Sequence, residues 1–228
     1  MANTAIIPED LFGFLADLSR NNDKKWFEAH RSRYEESVKE PALAFIAAFG
    51  PLLKKISPHF LAVPKAQGGS LFRIHRDTRF SRDKSPYKTN TGLHFRHEAA
   101  KNAHAPGFYV HLAPGDVFFG AGLWKPNGET AGAVRRLIAD EPADWRKVRA
   151  AMDAGGLTLV GDSLVRPPRG FDADHPLIED LKRKDFMASV SLEEKDALAP
   201  DFLERIADLC RRTAPLMAFL CRAVDVPF

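Results

Sequence analysis

The sequence is poor in the features that mark several classes of protein. Its two cysteines, Cys210 and Cys221, lie in one segment of helical periodicity. A continuous helix would place their Cα atoms about 16 Å apart, whereas a disulfide needs less than about 7 Å. No Cys or His stands beside either of them at metal-ligand spacing. We therefore expect two reduced, buried thiols.

Long apolar runs and a strong net charge are also missing. No stretch approaches the roughly 18 apolar residues of a membrane span, and the start of the chain lacks the basic and apolar regions of a signal peptide. The net charge is +3 over 228 residues, so the overall charge does not indicate a nucleic-acid protein. These absences predict a cytoplasmic protein with no membrane partner.

Several catalytic and cofactor motifs are absent as well. The chain has no phosphate-binding Gly-Lys-Ser/Thr loop and no dinucleotide glycine fingerprint after a strand. It also lacks a nucleophile elbow and an HExxH pair. The sequence therefore names no cofactor.

What is present is an ordinary globular composition, 45% hydrophobic and 28% charged. Residues 8–57 have helical periodicity, with a capping break at Asn21–Asp23 and a new helix start at Pro41. Four stretches then read as antiparallel strands, namely SLFRIHR, GLHFRHE, GFYVHLAP and DVFFGAGLW. The rest is mostly helical, apart from a turn-rich stretch with short strands (GGLTLVGDSLVRPPRGFDADHP) and a further predicted strand (DFMASVSL), and it closes with a long helix over 199–224. We predict one α+β domain over 1–228: a helical N-terminal segment, a central mainly antiparallel sheet and a helical C-terminal segment.

Alternation along the predicted strands assigns their side chains to two faces of the sheet. Phe72 and Ile74 fall on the apolar face, which we expect to pack on helices. The opposite face carries a polar set: Arg73, His75, His94, Arg96, Tyr109 and His111. Three imidazoles on adjacent strands would suit a metal ion. Hydrogen-bonded sheet histidines are the commoner case, so we predict no metal.

One stretch, LFRIHRDTRFSRDKSPYKTNTGLHF (71–95), concentrates the basic charge. Residues 71–91 carry six Lys/Arg and two Asp, a local charge of +4. Arginine presents a rigid fork of N–H donors that matches phosphate and carboxylate oxygens. We therefore predict that 73–88 bind an anionic ligand, phosphorylated or carboxylated. The candidate ligand-binding residues are Arg73, Arg76, Arg79, Ser81, Lys84, Tyr87 and Lys88.

Three neighbouring side chains are candidates for catalysis if the protein is an enzyme. His75 is the first candidate acid or base, because the usual imidazole pKa lies near neutrality. Asp77 and Asp83 could orient the arginines, and Asp83 could instead act as a base. These residues do not decide whether a reaction takes place.

Two other interpretations of the basic stretch stay open. In the first, it docks nucleic acid or protein, with Phe80, Tyr87 and Trp124 as aromatic contacts. Burial in the core is nevertheless the simpler expectation for Trp124. In the second, its arginines and aspartates pair with one another and merely hold the loop. The sequence does not indicate the oligomeric state.

The same stretch carries a family resemblance. FRIHRDTRFSRDKSPYKTN resembles the signature of a bacterial and fungal family catalogued as domain of unknown function 2461. NNDKKWFEAHRSRYEE resembles that family's opening motif, with His30 where Asn is more usual. GFYVHLAP, GAGLWKP and RPPRGFDADHP resemble further family segments in the same order, so the resemblance covers nearly the whole chain. The family has no established activity, and the resemblance implies no reaction, cofactor or catalytic residue.

Overall fold

The N-terminal segment is helical, as predicted. The computed structural model describes residues 7–99 and 106–228. Its first elements are α1 (Asp10–Arg20), α2 (Lys24–Ala29), α3 (Arg31–Tyr34), a π-helical turn (Glu35–Lys39) and α4 (Glu40–Ile56). Asp23 begins α2 as its N-cap, and its carboxylate accepts a hydrogen bond from the backbone N–H of Trp26 at 2.9 Å.

The predicted helix start at Pro41 is confirmed, since α4 begins at Glu40, although the chain is already helical before it. The chain stays helical from α3 through the π-helical turn into α4, and Pro41 stands in the first turn of α4. Proline lacks an N–H group and clashes with the carbonyl four residues earlier. The wider π-helical turn just before Pro41 is the kind of local adjustment that accommodates this loss within one helix.

The central sheet is antiparallel. Its strands are β1 (Phe60–Leu61), β2 (Thr91–His97), β3 (Gly107–Ala113), β4 (Asp116–Leu123), β5 (Thr158–Val160) and β6 (Phe186–Leu192). In the described ranges these six strands form one sheet in the order β1-β2-β3-β4-β6-β5. Three of the first four predicted strands therefore correspond to β2, β3 and β4, and DFMASVSL corresponds to β6.

The remaining predicted strand, SLFRIHR (70–76), which comes first in the chain, is not a regular strand. It makes isolated bridges, from Leu71 to Leu93 and from His75 to Tyr87. The chain leaves the edge of β2 after Phe72 and folds back on itself, so the strand alternation stops there. Ile74 is buried as expected, but the ring of Phe72 lies on the polar face of the sheet, 5.8 Å from the ring of Tyr109.

The remaining helices are α5 (Gly128–Asp140), α6 (Pro142–Ala154), α7 (Ile178–Leu181), α8 (Glu194–Ala197) and α9 (Phe202–Ala223). The apolar face of β2, β3 and β4 packs against the N-terminal helices and α9 in one hydrophobic cluster. A second cluster joins α5, α6 and α9 to β6 around Trp145. The observed class is α+β, as predicted. Among the described residues, no helix combines the length and apolar character needed to cross a membrane.

The two cysteines confirm the expectation of reduced thiols. Cys210 and Cys221 both lie in α9, and both are free and buried. Burial raises the pKa of Cys221 to about 12. The pair therefore belongs to the core.

Candidate functional site

A cavity of about 320 Å³ lies on the polar face of the central strands. We call it the sheet cavity. Its walls are mainly aromatic, formed by Phe72, Tyr109, Phe118 and Trp124, together with His94 and His111. A concave, largely apolar site with a few polar groups is typical of small-molecule sites, whose volumes start near ~300 Å³.

Glycines in the strands make room for the polar side chains of this cavity. His94 of β2 faces Tyr109 of β3 across the sheet. A Cβ atom on Gly107 would lie 2.5 Å from His94 Nε2, and one on Gly92 would lie 2.6 Å from the Tyr109 hydroxyl oxygen. Neither position tolerates a side chain without displacing the ring beside it.

Burial sets the protonation of the two histidines. It lowers the pKa of His94 to about 4, with Arg96 adding to the effect, so this ring is neutral at neutral pH. In the described part of the chain, the buried Nδ1 atom of His94 has no hydrogen-bond partner. Burial also lowers the pKa of His111, while Asp116 opposes that shift. An unsatisfied buried nitrogen beside a cavity is a feature that a ligand would explain.

Two arginines of the predicted basic site form ion pairs with aspartates of the same stretch. Arg79 donates to Asp77, with Nε–Oδ1 at 2.9 Å and Nη2–Oδ2 at 2.6 Å, and Arg76 pairs with Asp83. Arg79 holds the pKa of Asp77 at about 2, while Ser85 and Arg76 hold the pKa of Asp83 well below its usual range. These pairs are exposed to solvent, which screens the charges, so they add little to the stability of the fold.

Other members of the predicted site have local partners too. Lys84 Nζ donates to the carbonyl of Thr78 at 2.9 Å, and Ser81 Oγ lies 3.5 Å from Arg76 Nη2. Arg76 and Lys88 also line a polar cavity of about 340 Å³. The ligand-binding and catalytic roles assigned to 73–88 stay predictions.

The N-terminal helices contact residues 73–88, which we call the basic loop, through Tyr87. The Tyr87 ring is buried and stacks on Phe27 at 4.1 Å between ring centres. The side-chain amide of Asn22 donates to the Tyr87 carbonyl and accepts from the Tyr87 N–H, each at 3.0 Å. Within the predicted capping break, Asn21 caps the end of α1 and Asp23 the start of α2, whereas Asn22 makes this contact instead. Its partner is 65 positions away, so local sequence carried no signal for this contact.

We expect Asn22→Ala to lower the free energy of unfolding by about 1–3 kcal/mol, because it strands two partly buried backbone groups of Tyr87. Asn21→Ala is the matched control, since it removes one exposed bond to the Asp17 carbonyl and should cost about 0.5 kcal/mol. Urea unfolding at neutral pH measures both. Equal losses in the two variants would contradict the anchoring role of Asn22.

Three cations near Phe72 form no ion pair with a described carboxylate, although the charge of Arg73 helps to lower the pKa of Asp77. Lys88 Nζ lies 5.1 Å from the centre of the Phe72 ring. Arg73 and Arg96 join Phe72 in lining a neighbouring cavity of about 480 Å³. Burial, and then the charge of Arg73, lowers the pKa of Lys88. No carboxylate among the described residues forms an ion pair with any of the three. We call Arg73, Lys88 and Arg96 the rim cations.

The expectation that Trp124 lies in the core is wrong. Its side chain is 49% exposed and lines the sheet cavity. β4 ends at Leu123, and the next turn places Lys125 at a φ of 48°. The buried carboxylate of Asp185 holds this turn by accepting the Lys125 N–H at 2.7 Å. The turn directs Trp124 away from the core.

The three histidines of the predicted polar face do not come together. His94 and His111 lie on the sheet, whereas His75 packs against Phe27 and Tyr87. Across 7–99 and 106–228, no three His, Cys, Asp or Glu side chains group as metal ligands. Arg33 of α3 pairs with Asp10 and Asp17 in α1.

Comparison with known proteins identifies the family. No curated protein matches the chain. The family described as Conserved hypothetical protein (DUF2461) matches residues 10–219. That range runs from the start of α1 through the sheet and into α9. The chain therefore belongs to the DUF2461 family, as the resemblance of its basic stretch predicts.

Proposed function

We propose that the protein binds an anionic organic small molecule, phosphorylated or carboxylated, with an apolar or aromatic body. The body enters the sheet cavity, and the anionic group meets the rim cations. The observation that carries this proposal is the position of Phe72. It is a wall of the sheet cavity, its ring centre lies 5.1 Å from Lys88 Nζ, and it lines a neighbouring cavity together with Arg73 and Arg96.

The charges favour Arg73 and Lys88 over Arg76 and Arg79 as the anion-binding residues. Arg76 and Arg79 already have carboxylate partners. Like charges at close range repel, and burial makes the charge of Lys88 costlier. A bound anion relieves both costs, and a charge-assisted hydrogen bond contributes about 1.5–3 kcal/mol. In this proposal Asp77 and Asp83 keep the loop in shape by pairing with its arginines.

Isothermal titration with four probes tests the proposal: phenyl phosphate, phenylpyruvate, inorganic phosphate and phenol. We expect at least one of the two aromatic anions to bind about tenfold more tightly than inorganic phosphate and than phenol. Inorganic phosphate lacks the aromatic body, and phenol lacks the anionic group. Lys88→Met and Arg73→Met should each weaken that binding about tenfold, because each removes a charge while keeping the bulk of the side chain.

Arg79→Met is the matched control, since it removes a charge of the same loop that Asp77 already neutralises. We expect it to leave the affinity within about twofold. Failure of both aromatic anions to bind would sink the proposal. A larger loss in Arg79→Met than in Lys88→Met would place the anion elsewhere in the loop.

A docking function is the second candidate, and one observation favours it. Phe80 is 96% exposed at the tip of the basic loop, with the Arg79 guanidinium 5.9 Å from its ring centre. An exposed aromatic ring beside arginine suits stacking on a nucleic-acid base. This function predicts binding of single-stranded oligonucleotides that weakens steeply with salt and is lost in Phe80→Ala. The small-molecule site predicts no effect of Phe80→Ala.

A further inference from the structure

A line of three polar side chains leads out of the sheet cavity. Tyr109 and His111 stand two residues apart on β3 and so share a face of the sheet. Asp116 begins β4 directly after the tight turn and pairs with Ala113. The hairpin therefore places Asp116 next to the end of β3, beside His111.

The contacts along this line are ordered. The Tyr109 hydroxyl lies 3.1 Å from His111 Nδ1, and His111 Nε2 lies 3.6 Å from an Asp116 carboxylate oxygen. A carboxylate near Nε2 favours a proton on that nitrogen, which leaves Nδ1 to accept from the tyrosine. The His111 ring is held by stacking on Phe118 at 4.6 Å between ring centres. His111 is 15% exposed and Asp116 66%, so the line runs from the cavity to solvent.

We propose that the sheet cavity is a catalytic site for proton transfer, in which Tyr109, His111 and Asp116 take a proton from the bound anionic molecule. In this step a ligand C–H bond next to a carbonyl breaks, and its electron pair forms the enolate. The proton goes to the Tyr109 oxygen while Tyr109 passes its own proton to His111 Nδ1. The resulting imidazolium faces Asp116, and the enolate faces the rim cations. Return of a proton from His111 through Tyr109 completes an isomerisation or an exchange with solvent.

The protonation states suit this direction of transfer. Burial raises the pKa of Tyr109 to about 12, with Asp116 adding to the shift. Burial lowers the pKa of His111, so both groups are neutral at neutral pH and the line can accept one proton. Exchange should therefore be present above the His111 pKa and be lost as the pH falls through it and the ring becomes charged.

The neighbouring strands add few charges to this line. On β2, the polar face carries His94, which is neutral at neutral pH, and Arg96. Lys88, which precedes β2 in the chain, lies 5.1 Å from the centre of the Phe72 ring on the same side of the sheet. On β4, Asp116 is the charged residue that faces His111. We therefore expect Asp116 to be the main electrostatic influence on the His111 pKa.

The proposal rests on the proposed binding function, so its test measures binding and proton transfer separately. The probe is phenylpyruvate, which has an aromatic ring, a carboxylate and acidic hydrogens next to its ketone. Deuterium incorporation at that carbon in D₂O is followed by proton NMR, and affinity by calorimetry. We expect exchange about 100-fold faster than in buffer alone. Tyr109→Phe, which keeps the ring, should lose this acceleration while its affinity stays within about threefold.

Asp116→Asn is the second variant, and it changes a side chain that is 66% exposed. Because Asp116 raises the His111 pKa, we expect this variant to shift the midpoint of the pH–rate profile to lower pH. Phenylpyruvate that binds but exchanges no faster than in buffer would overturn the catalytic proposal and leave the binding function standing. If phenylpyruvate showed neither binding nor faster exchange, the result would count against both the binding function and the catalytic proposal. Wild-type exchange in Tyr109→Phe, or an unshifted midpoint in Asp116→Asn, would overturn the relay.

Discussion

Replacing Trp145 with alanine is expected to lower the free energy of unfolding by about 3–5 kcal/mol. Trp145 is fully buried in α6, and its ring centre lies 5.1 Å from that of Phe219 in α9. It is the largest side chain in the cluster that joins α5, α6 and α9 to β6. Truncation leaves a large void between elements that the rest of the chain already holds in place, so collapse around the void is limited. Urea unfolding followed by circular dichroism measures the loss.

Trp124→Ala is the matched control for this prediction. The same substitution at a 49% exposed tryptophan should cost about 1 kcal/mol or less, because little buried area is lost. It should nevertheless weaken binding of an aromatic anion, since Trp124 is a wall of the sheet cavity. If the two variants lost the same stability, the assignment of one tryptophan to the core and the other to the site would be wrong.

Replacing Gly122 with alanine is expected to cost at least about 3 kcal/mol. Gly122 has a φ of 136°, a backbone conformation that residues with a Cβ atom rarely adopt. A Cβ atom there would also lie 2.1 Å from the carbonyl oxygen of Phe186 on the neighbouring strand. Relief of that overlap requires β4 and β6 to separate where Gly122 pairs with Met187. The thermal midpoint and the urea midpoint should both fall.

Two other glycines separate the steric cause from the conformational one. A Cβ atom on Gly120 would lie 3.4 Å from the sulfur of Met187, a flexible neighbour, so Gly120→Ala should cost about 1 kcal/mol or less. Gly115 has a φ of 72° in open space, so Gly115→Ala should cost about 1–2 kcal/mol from backbone strain alone. If Gly122→Ala lost no more free energy of unfolding than Gly115→Ala, the strands β4 and β6 would be able to separate at Gly122 at little cost.

The elements of the fold followed from local pattern. Helical spacing in 8–57 and alternation in β2, β3 and β4 depend on residues a few positions apart, and such spacing reflects which face of an element is buried. The pattern was wrong where an element's path depends on distant contacts. SLFRIHR alternates like a strand, but the chain folds back after Phe72. Pro41 correctly indicated the start of α4, but no local pattern indicated the π-helical turn that precedes it.

The sequence by itself determined the α+β class, the buried thiols, the family and the concentration of cations between Arg73 and Lys88, because each of these is a property of composition, local spacing or motif. The tertiary structure decided which of those cations have carboxylate partners. Arg76 and Arg79 do. Arg73 and Arg96 instead line a cavity beside Phe72, and Lys88 Nζ lies 5.1 Å from the centre of the Phe72 ring. Ion pairs and cavities depend on distances of a few ångströms between side chains on different elements, and only the packed fold sets those distances.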